Sequence, residues 1–357
     1  MDGKNIIRAS LGLIVSFSIL GAIALAYHIS LVGGVVETLK FAPAVRTGDF
    51  QLAGKALFVR QFLFFLPTAF MLTWAVCIDA MTSKSGSGVS RCAFFNWRRF
   101  AVVMPGLMFL YYALSTYGRR EFLYPIIICF IIWSVAGQRR SRWGLGWLLI
   151  LCMLWFSAYF INIPAATQSA VAVLRSIYFG TTQGLGGSFM HFVAAQHASL
   201  WQFGFLSDFR EIPVQFLPSK LMGFDRSRGM FGETSEFILG HPLETGKSGE
   251  EPLGLHGYLL VNFSYMGMFL LFYLMGIGYR MLDAALRPPK GGPAIGWLVF
   301  LWSVIGPLEF FREGALILVL KPRFSWWVTI GILFWFAYRH KSDSTLHHQS
   351  TKWSCTL

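Results

Sequence analysis

Residues 244–279 read ETGKSGEEPLGLHGYLLVNFSYMGMFLLFYLMGIGY. Within this stretch a charged, glycine-rich segment gives way to an unbroken apolar run. Glu251 is the last Asp, Glu, Lys or Arg before Arg280. About 20 apolar residues at ~1.5 Å each cross the ~30 Å hydrocarbon of a bilayer. The run therefore reads as an entry into a membrane. The polar stretch before it, residues 164–256, reads as a loop outside the lipid. A membrane protein with one large loop and short ones elsewhere tends to do its chemistry in that loop.

The rest of the chain fits this reading. Of its 357 residues, 55% are hydrophobic and only 13% are charged. A soluble domain carries about 25% charged residues. The fold class expected is an all-α polytopic integral membrane protein with about eight transmembrane helices and one large extracytoplasmic loop. No alternating pattern of an outer-membrane barrel is present. The spans fall at roughly 9–31, 61–78, 100–117, 122–136, 144–163, 257–279, 294–310 and 325–338. Residues 1–163 thus hold five spans, 164–256 the loop, 257–338 three spans and 339–357 a tail. Ala315 to Leu320 is too short to cross and reads as re-entrant or interfacial. Ala24-Leu25-Ala26 mimics a signal-peptidase site, but the apolar run continues past it, so Ala9 to Leu31 reads as an uncleaved first span.

Basic residues in short loops set the orientation. With the N-terminus inside, the cytoplasmic segments hold 15 basic and 4 acidic residues, among them Arg98, Arg99, Arg139, Arg140 and Arg142. The outer segments come close to neutral. Both termini are therefore expected in the cytoplasm, and the long loop outside. In a bacterium this means an inner-membrane protein with a periplasmic loop. Most of the net charge of +13, eleven of the thirteen, then belongs to a cytoplasmic face meeting anionic lipid. No basic segment is interleaved with aromatics, so nucleic acid is not an expected partner. The five cysteines avoid the long loop, and no metal-ligand spacing occurs. Neither a disulfide framework, nor a metal, nor a cofactor is expected.

Cations gather in three places on the outer side. Arg119 and Arg120 join the third and fourth spans, Arg312 ends the seventh, and the loop adds Arg175, Arg210, Lys220, Arg226 and Arg228. The planar guanidinium binds two phosphate oxygens and keeps its charge. Such a side suits a lipid-linked phosphate or pyrophosphate. Arg119, Arg120 and Arg312 also suit plain anchoring, in which the side chain reaches up to the interface. Among proton acceptors, Glu233 and Glu236 follow the Arg226/Arg228 pair closely. His256 sits where the loop re-enters the membrane. Any of the three could take a proton from a sugar hydroxyl.

Several segments resemble the bacterial O-antigen polymerases, the Wzy-type oligosaccharide repeat-unit polymerases. Gly118-Arg119-Arg120 resembles a Gly-x-Arg element opening an apolar helix. Ile212-Pro213 through Phe216-Leu217-Pro218-Ser219-Lys220 resembles a Pro/Lys loop segment. Pro252 through Gly267 resembles the motif leading from the large loop into the next helix. Arg175 and Gly186 fit an Arg-x10-Gly signature, but a chain this rich in both residues yields such pairs by chance. The chain departs from the family in its span number, in Ser264 where Gly is common, and in His256 near a usual acid. These departures leave the identity of the base open.

The resemblance implies a metal-independent glycosyltransferase at the outer membrane face. It would move a growing glycan from undecaprenyl pyrophosphate to a lipid-linked repeat unit. The arginines and Lys220 would hold the pyrophosphate, and Glu233, Glu236 or His256 would act as base. A chain-length regulator and a flippase would be its protein partners. Two alternatives stay open: an O-antigen ligase-like transferase, which differs only in its acceptor, and a non-enzymatic flippase. The latter should show mid-membrane charges or internal repeats, and the spans show few charges and no convincing repeat.

Overall fold

The structure is a computed structural model and describes residues 3–47, 59, 61–82, 91–116, 119–136, 254–289, 292–313 and 323–335. Among them the regular structure is helical throughout, with no strand. The helices are α1 (Gly3–Val32), α2 (Val35–Lys40), α3 (Ala42–Thr47), α4 (Phe65–Thr82), α5 (Arg91–Ser115), α6 (Arg119–Ala136), α7 (Gly254–Leu286), α8 (Ala294–Glu313) and α9 (323–335).

Three stretches are helical, long and apolar enough to cross a membrane: Ala9–Val32, Gln61–Ala80 and Tyr265–Leu286. Shorter apolar stretches, Val103–Ser115, Phe122–Ala136 and Ala294–Gly306, lie within α5, α6 and α8. The expected span at 144–163, the loop up to residue 253, Ala315 to Leu320 and the tail from residue 339 lie outside the described residues. Helix ends differ from the expected span ends. α1 starts at Gly3, α5 at Arg91 and α7 at Gly254, and α7 continues to Leu286. Hydropathy marks where lipid begins, whereas backbone hydrogen bonding carries a helix on into water.

Burial separates the centre from the rim. The apolar window of α4 is 67% buried, that of α1 33% and that of α7 0%. α4 packs against α1, α5, α6 and α8, while α7 pairs with α8. Leu66, Ala69, Met71, Leu72 and Ala75 of α4 are fully enclosed. At Gly21 of α1 the two helices meet closely: a Cβ there would fall 2.5 Å from Leu66 Cδ2. The outer faces are apolar as well. Leu11, Val15, Ile19, Ile23 and Tyr27 form an exposed stripe at four-residue spacing on α1. Met266, Phe269, Tyr273, Ile277 and Met281 form another on α7. Stripes of this extent are aggregation liabilities in water and ordinary surface in lipid.

Chain reversals follow local chemistry. α1 ends at Gly33 and Gly34, with φ of 106° and 138°, where a side chain would be strained. Both amides donate to the Ile29 carbonyl, at 3.1 and 3.0 Å, closing the last turn. Before α4, the helical turn from Gln61 breaks at Phe64, and Pro67 has no N–H to offer the Leu63 carbonyl four residues back. The Phe64 carbonyl accepts from Thr68 Oγ1 at 3.1 Å and Ser325 Oγ at 3.3 Å.

The far end of α4 is tied to the start of α8. Pro293 precedes α8 and offers no capping side chain. Asp79 supplies one from across the chain: Ala294 N–H donates to Oδ1, and Ile295 N–H donates to Oδ2 at 3.1 Å. A carboxylate at a helix N-terminus also opposes the positive end of the helix dipole. Asp79→Ala is expected to cost about 2 kcal/mol of stability, and Asp79→Asn about half that, because one acceptor oxygen survives. Unfolding of the purified protein in mild detergent measures both. Equal stability of all three proteins would show that the tie contributes nothing.

Candidate functional site

One end of the bundle gathers several helix termini. The last turns of α1 pack with Leu63 and Leu66 at the start of α4. Phe109, near the end of α5, stacks on Phe122, near the start of α6, with centroids 6.1 Å apart. Tyr111 of α5 donates to the Val35 carbonyl of α2 at 2.9 Å. Thr68 of α4 bonds Ser325 of α9 at 2.6 Å, hydroxyl to hydroxyl. Thus α4, α6 and α9 begin where α1 and α5 finish, opposite the Asp79 tie. α8 starts at that tie and runs toward the gathered end, its Trp302 stacking on Trp326 of α9.

Of the residues expected at the site, Arg119 and Arg120 open α6. Arg312 lies in the last turn of α8 and His256 in the first turn of α7. Arg175, Arg210, Lys220, Arg226, Arg228, Glu233 and Glu236 lie outside the described residues. The helix ends bearing Arg119, Arg120 and Arg312 therefore lie toward one side of the bundle. Among the described residues, no group of three His, Cys, Asp or Glu is placed to hold a metal ion.

The structure adds a residue that the sequence reading counted only as one more outer cation. Arg323 opens α9 and is 3% exposed. Its guanidinium carbon lies 4.3 Å from the ring centre of Trp326 and 5.5 Å from that of Tyr124. Trp326 is three residues on along α9, the spacing that puts two side chains on one helix face. Tyr124 comes from α6, about 7.5 Å along the axis from Arg119. A sequence signal existed in the run Pro322-Arg323-Phe324-Ser325-Trp326-Trp327, where an arginine precedes clustered aromatics. Nothing in it could point to Tyr124, roughly half the chain away.

Helix polarity separates these arginines. A helix N-terminus carries about half a positive charge and disfavours cations, whereas a C-terminus favours them. Arg312, in the last turn of α8, is where the dipole alone would place it. Arg119, Arg120 and Arg323 sit in first turns, against the dipole. A bound anion would offset that cost, since oxyanions are the favoured occupants of helix N-termini.

No protein-family model, curated protein or solved structure matches the chain. The polymerase resemblance accordingly stands on the motifs within this sequence.

Proposed function

We propose that this chain is an inner-membrane polymerase of surface polysaccharide. It joins undecaprenyl-pyrophosphate-linked oligosaccharide repeat units at the periplasmic face, as a metal-independent glycosyltransferase with eight spans and both termini in the cytoplasm. The observation that carries this reading is the pair Arg119 and Arg120 in the first turn of α6, at the gathered end of the bundle and against the helix dipole. Such a placement favours an anionic headgroup over plain anchoring.

Further support comes from the helix lengths. α5, α6 and α8 have 25, 18 and 20 residues, enough for about 27–37 Å each. α5 and α8 reach the ~30 Å of the hydrocarbon even though their apolar parts are shorter, and α6, at 18 residues, falls within the range of short spans. Pro105 and Pro125 inside α5 and α6 are tolerated in lipid-embedded helices, where neighbouring helices re-satisfy the backbone.

In this mechanism the arginines neutralise the donor pyrophosphate. The acceptor hydroxyl loses its proton to Glu233, Glu236 or His256 and attacks the anomeric carbon. Undecaprenyl pyrophosphate leaves with the bonding electrons, and a leaving group neutralised in this way needs no separate acid.

The deciding experiment is complementation of a polymerase-null strain of the source organism, with the surface glycan read on gels. The expected result is a restored ladder of repeat lengths. Long lipid-linked chains never joined to the lipid core in the chain's own deletion strain would identify a ligase instead. Repeat units retained on the cytoplasmic face would identify a flippase.

A further inference from the structure

We propose that Arg280 holds the phosphate of an anionic phospholipid whose acyl chain lies along the exposed face of α7. The inference rests on Tyr265–Leu286 as a membrane span and is independent of the polymerase reading.

The first observation is an open cation. Arg280 is exposed, and its side chain makes no hydrogen bond or ion pair among the described residues. The acid nearest to it in sequence, Asp283, is engaged elsewhere, with Arg287 Nη1 3.5 Å from its Oδ2. Asp283 and Arg287 thus offset each other, and Arg280 keeps an uncompensated charge. Its guanidinium presents a fork of N–H groups that matches phosphate oxygens.

The second is the surface beside that cation. Met266, Leu270, Tyr273 and Ile277 lead up to Arg280 in steps of three and four residues, which places all five along one side of the helix. Met266 is 84% and Tyr273 68% exposed, and the apolar window of α7 is 0% buried. From Leu270 to Arg280 the helix rises ~15 Å, half of the ~30 Å hydrocarbon. The face therefore has the depth of one lipid leaflet, with a cation at its headgroup end and apolar side chains along its acyl end.

The third is position. α7 ends in a short link to α8, and α8 starts at the Asp79 tie. Arg280 thus lies toward the end of the bundle opposite Arg119 and Arg120. Its occupant is a lipid of the bilayer rather than the proposed substrate. A zwitterionic headgroup brings its own ammonium beside the phosphate, so an uncompensated arginine selects a headgroup with net negative charge. One such cation near the surface favours anionic lipid about fivefold.

Photolabelling of the full-length protein in phosphatidylcholine nanodiscs tests this. One set of discs carries a small share of phosphatidylglycerol with a diazirine on its acyl chain. A second set carries the same group on phosphatidylcholine. Wild type, Arg280→Gln and Asp283→Asn are illuminated, their labels are mapped by peptide mass spectrometry, and their melting is followed alongside. The expected result is phosphatidylglycerol labelling between Met266 and Met281 about fivefold above that by phosphatidylcholine. Arg280→Gln should bring the two lipids to parity. Asp283→Asn should widen the gap, because Arg287 is then released as a second free cation.

Equal labelling by both lipids in wild type overturns the proposal, since Arg280 would then only anchor the helix in unselected lipid. A phosphatidylglycerol preference that survives Arg280→Gln in a folded protein overturns it too. So does an α7 left unlabelled by either lipid, as it would be beneath a second copy of the chain. Should the Gln variant fail to fold, Asp283→Asn decides, and an unchanged preference there overturns the proposal.

Discussion

Arg120→Ala is expected to abolish the polymer ladder, with a loss of at least ~100-fold in chain extension at unchanged protein level. The reason lies in where charge develops. In the proposed reaction, negative charge grows on the departing pyrophosphate as the glycosidic bond breaks. A fixed cation there is stronger in the transition state than in the ground state, so its loss appears in the rate. Arg120 opens α6, and an alanine at a helix N-terminus carries no folding penalty of its own. Removal of a cation from that terminus even relieves an unfavourable dipole contact. Activity and stability should therefore move in opposite directions, which is the signature of a functional residue. Arg120→Lys should recover part of the rate. Arg312→Ala is the informative partner. Arg312 sits in the last turn of α8, where both the dipole and the interface favour it. If it holds pyrophosphate, its loss should also remove the ladder. If it only anchors α8, the ladder should persist at a lower protein level. Gel readout beside an immunoblot separates these cases. A full ladder from Arg120→Ala would remove the main support for a pyrophosphate site at α6.

The apolar runs predicted the three long helices because lipid demands length and hydropathy together, and both are written locally. Ala9–Val32 and Gln61–Ala80 follow the expected runs closely, whereas Tyr265–Leu286 is displaced by seven to eight residues from the expected 257–279. Helix ends were less legible, because α5 reaches back to Arg91 through polar residues that hydropathy assigns to water. Long-range contacts were not legible at all. Asp79 reads as one acidic residue on a basic face, until α8 places its first amides against it. Arg323 reads as one more outer cation, until α6 brings Tyr124 beside it. Arg119 and Arg120 are legible as a pair because adjacent arginines at the head of an apolar run are visible without a fold. The ring contacts of Arg323 are not, because its partners are spread over two helices. Hydropathy treats α4 and α7 alike, yet the apolar window of α4 is 67% buried and that of α7 0%. Only packing tells them apart.

Trp302→Ala is expected to destabilise the bundle by about 3 kcal/mol. Trp302 of α8 is fully buried and stacks on Trp326 of α9, with ring centroids 5.5 Å apart and planes 13° apart. Truncation removes a large side chain between two helices and leaves a cavity that Trp326, itself 2% exposed, cannot fill by swinging out. In water such losses reach about 3–5 kcal/mol, part of it from transfer of apolar surface. In lipid that part shrinks, because separated helices are solvated by acyl chains. The packing loss remains, which places the expectation at the lower end. Trp302→Phe provides the control. The indole N–H of Trp302 is buried with no hydrogen-bond acceptor among the described residues. Phenylalanine gives up that donor at no cost, keeps an aromatic face and leaves a smaller void, for an expected loss of about 1 kcal/mol. A double-mutant cycle with Trp326→Ala should return a coupling of about 1 kcal/mol for the stacked pair. Denaturant unfolding in bicelles gives the stabilities. A Trp302→Ala protein as stable as wild type would mean that α8 and α9 are held together by something other than this stack.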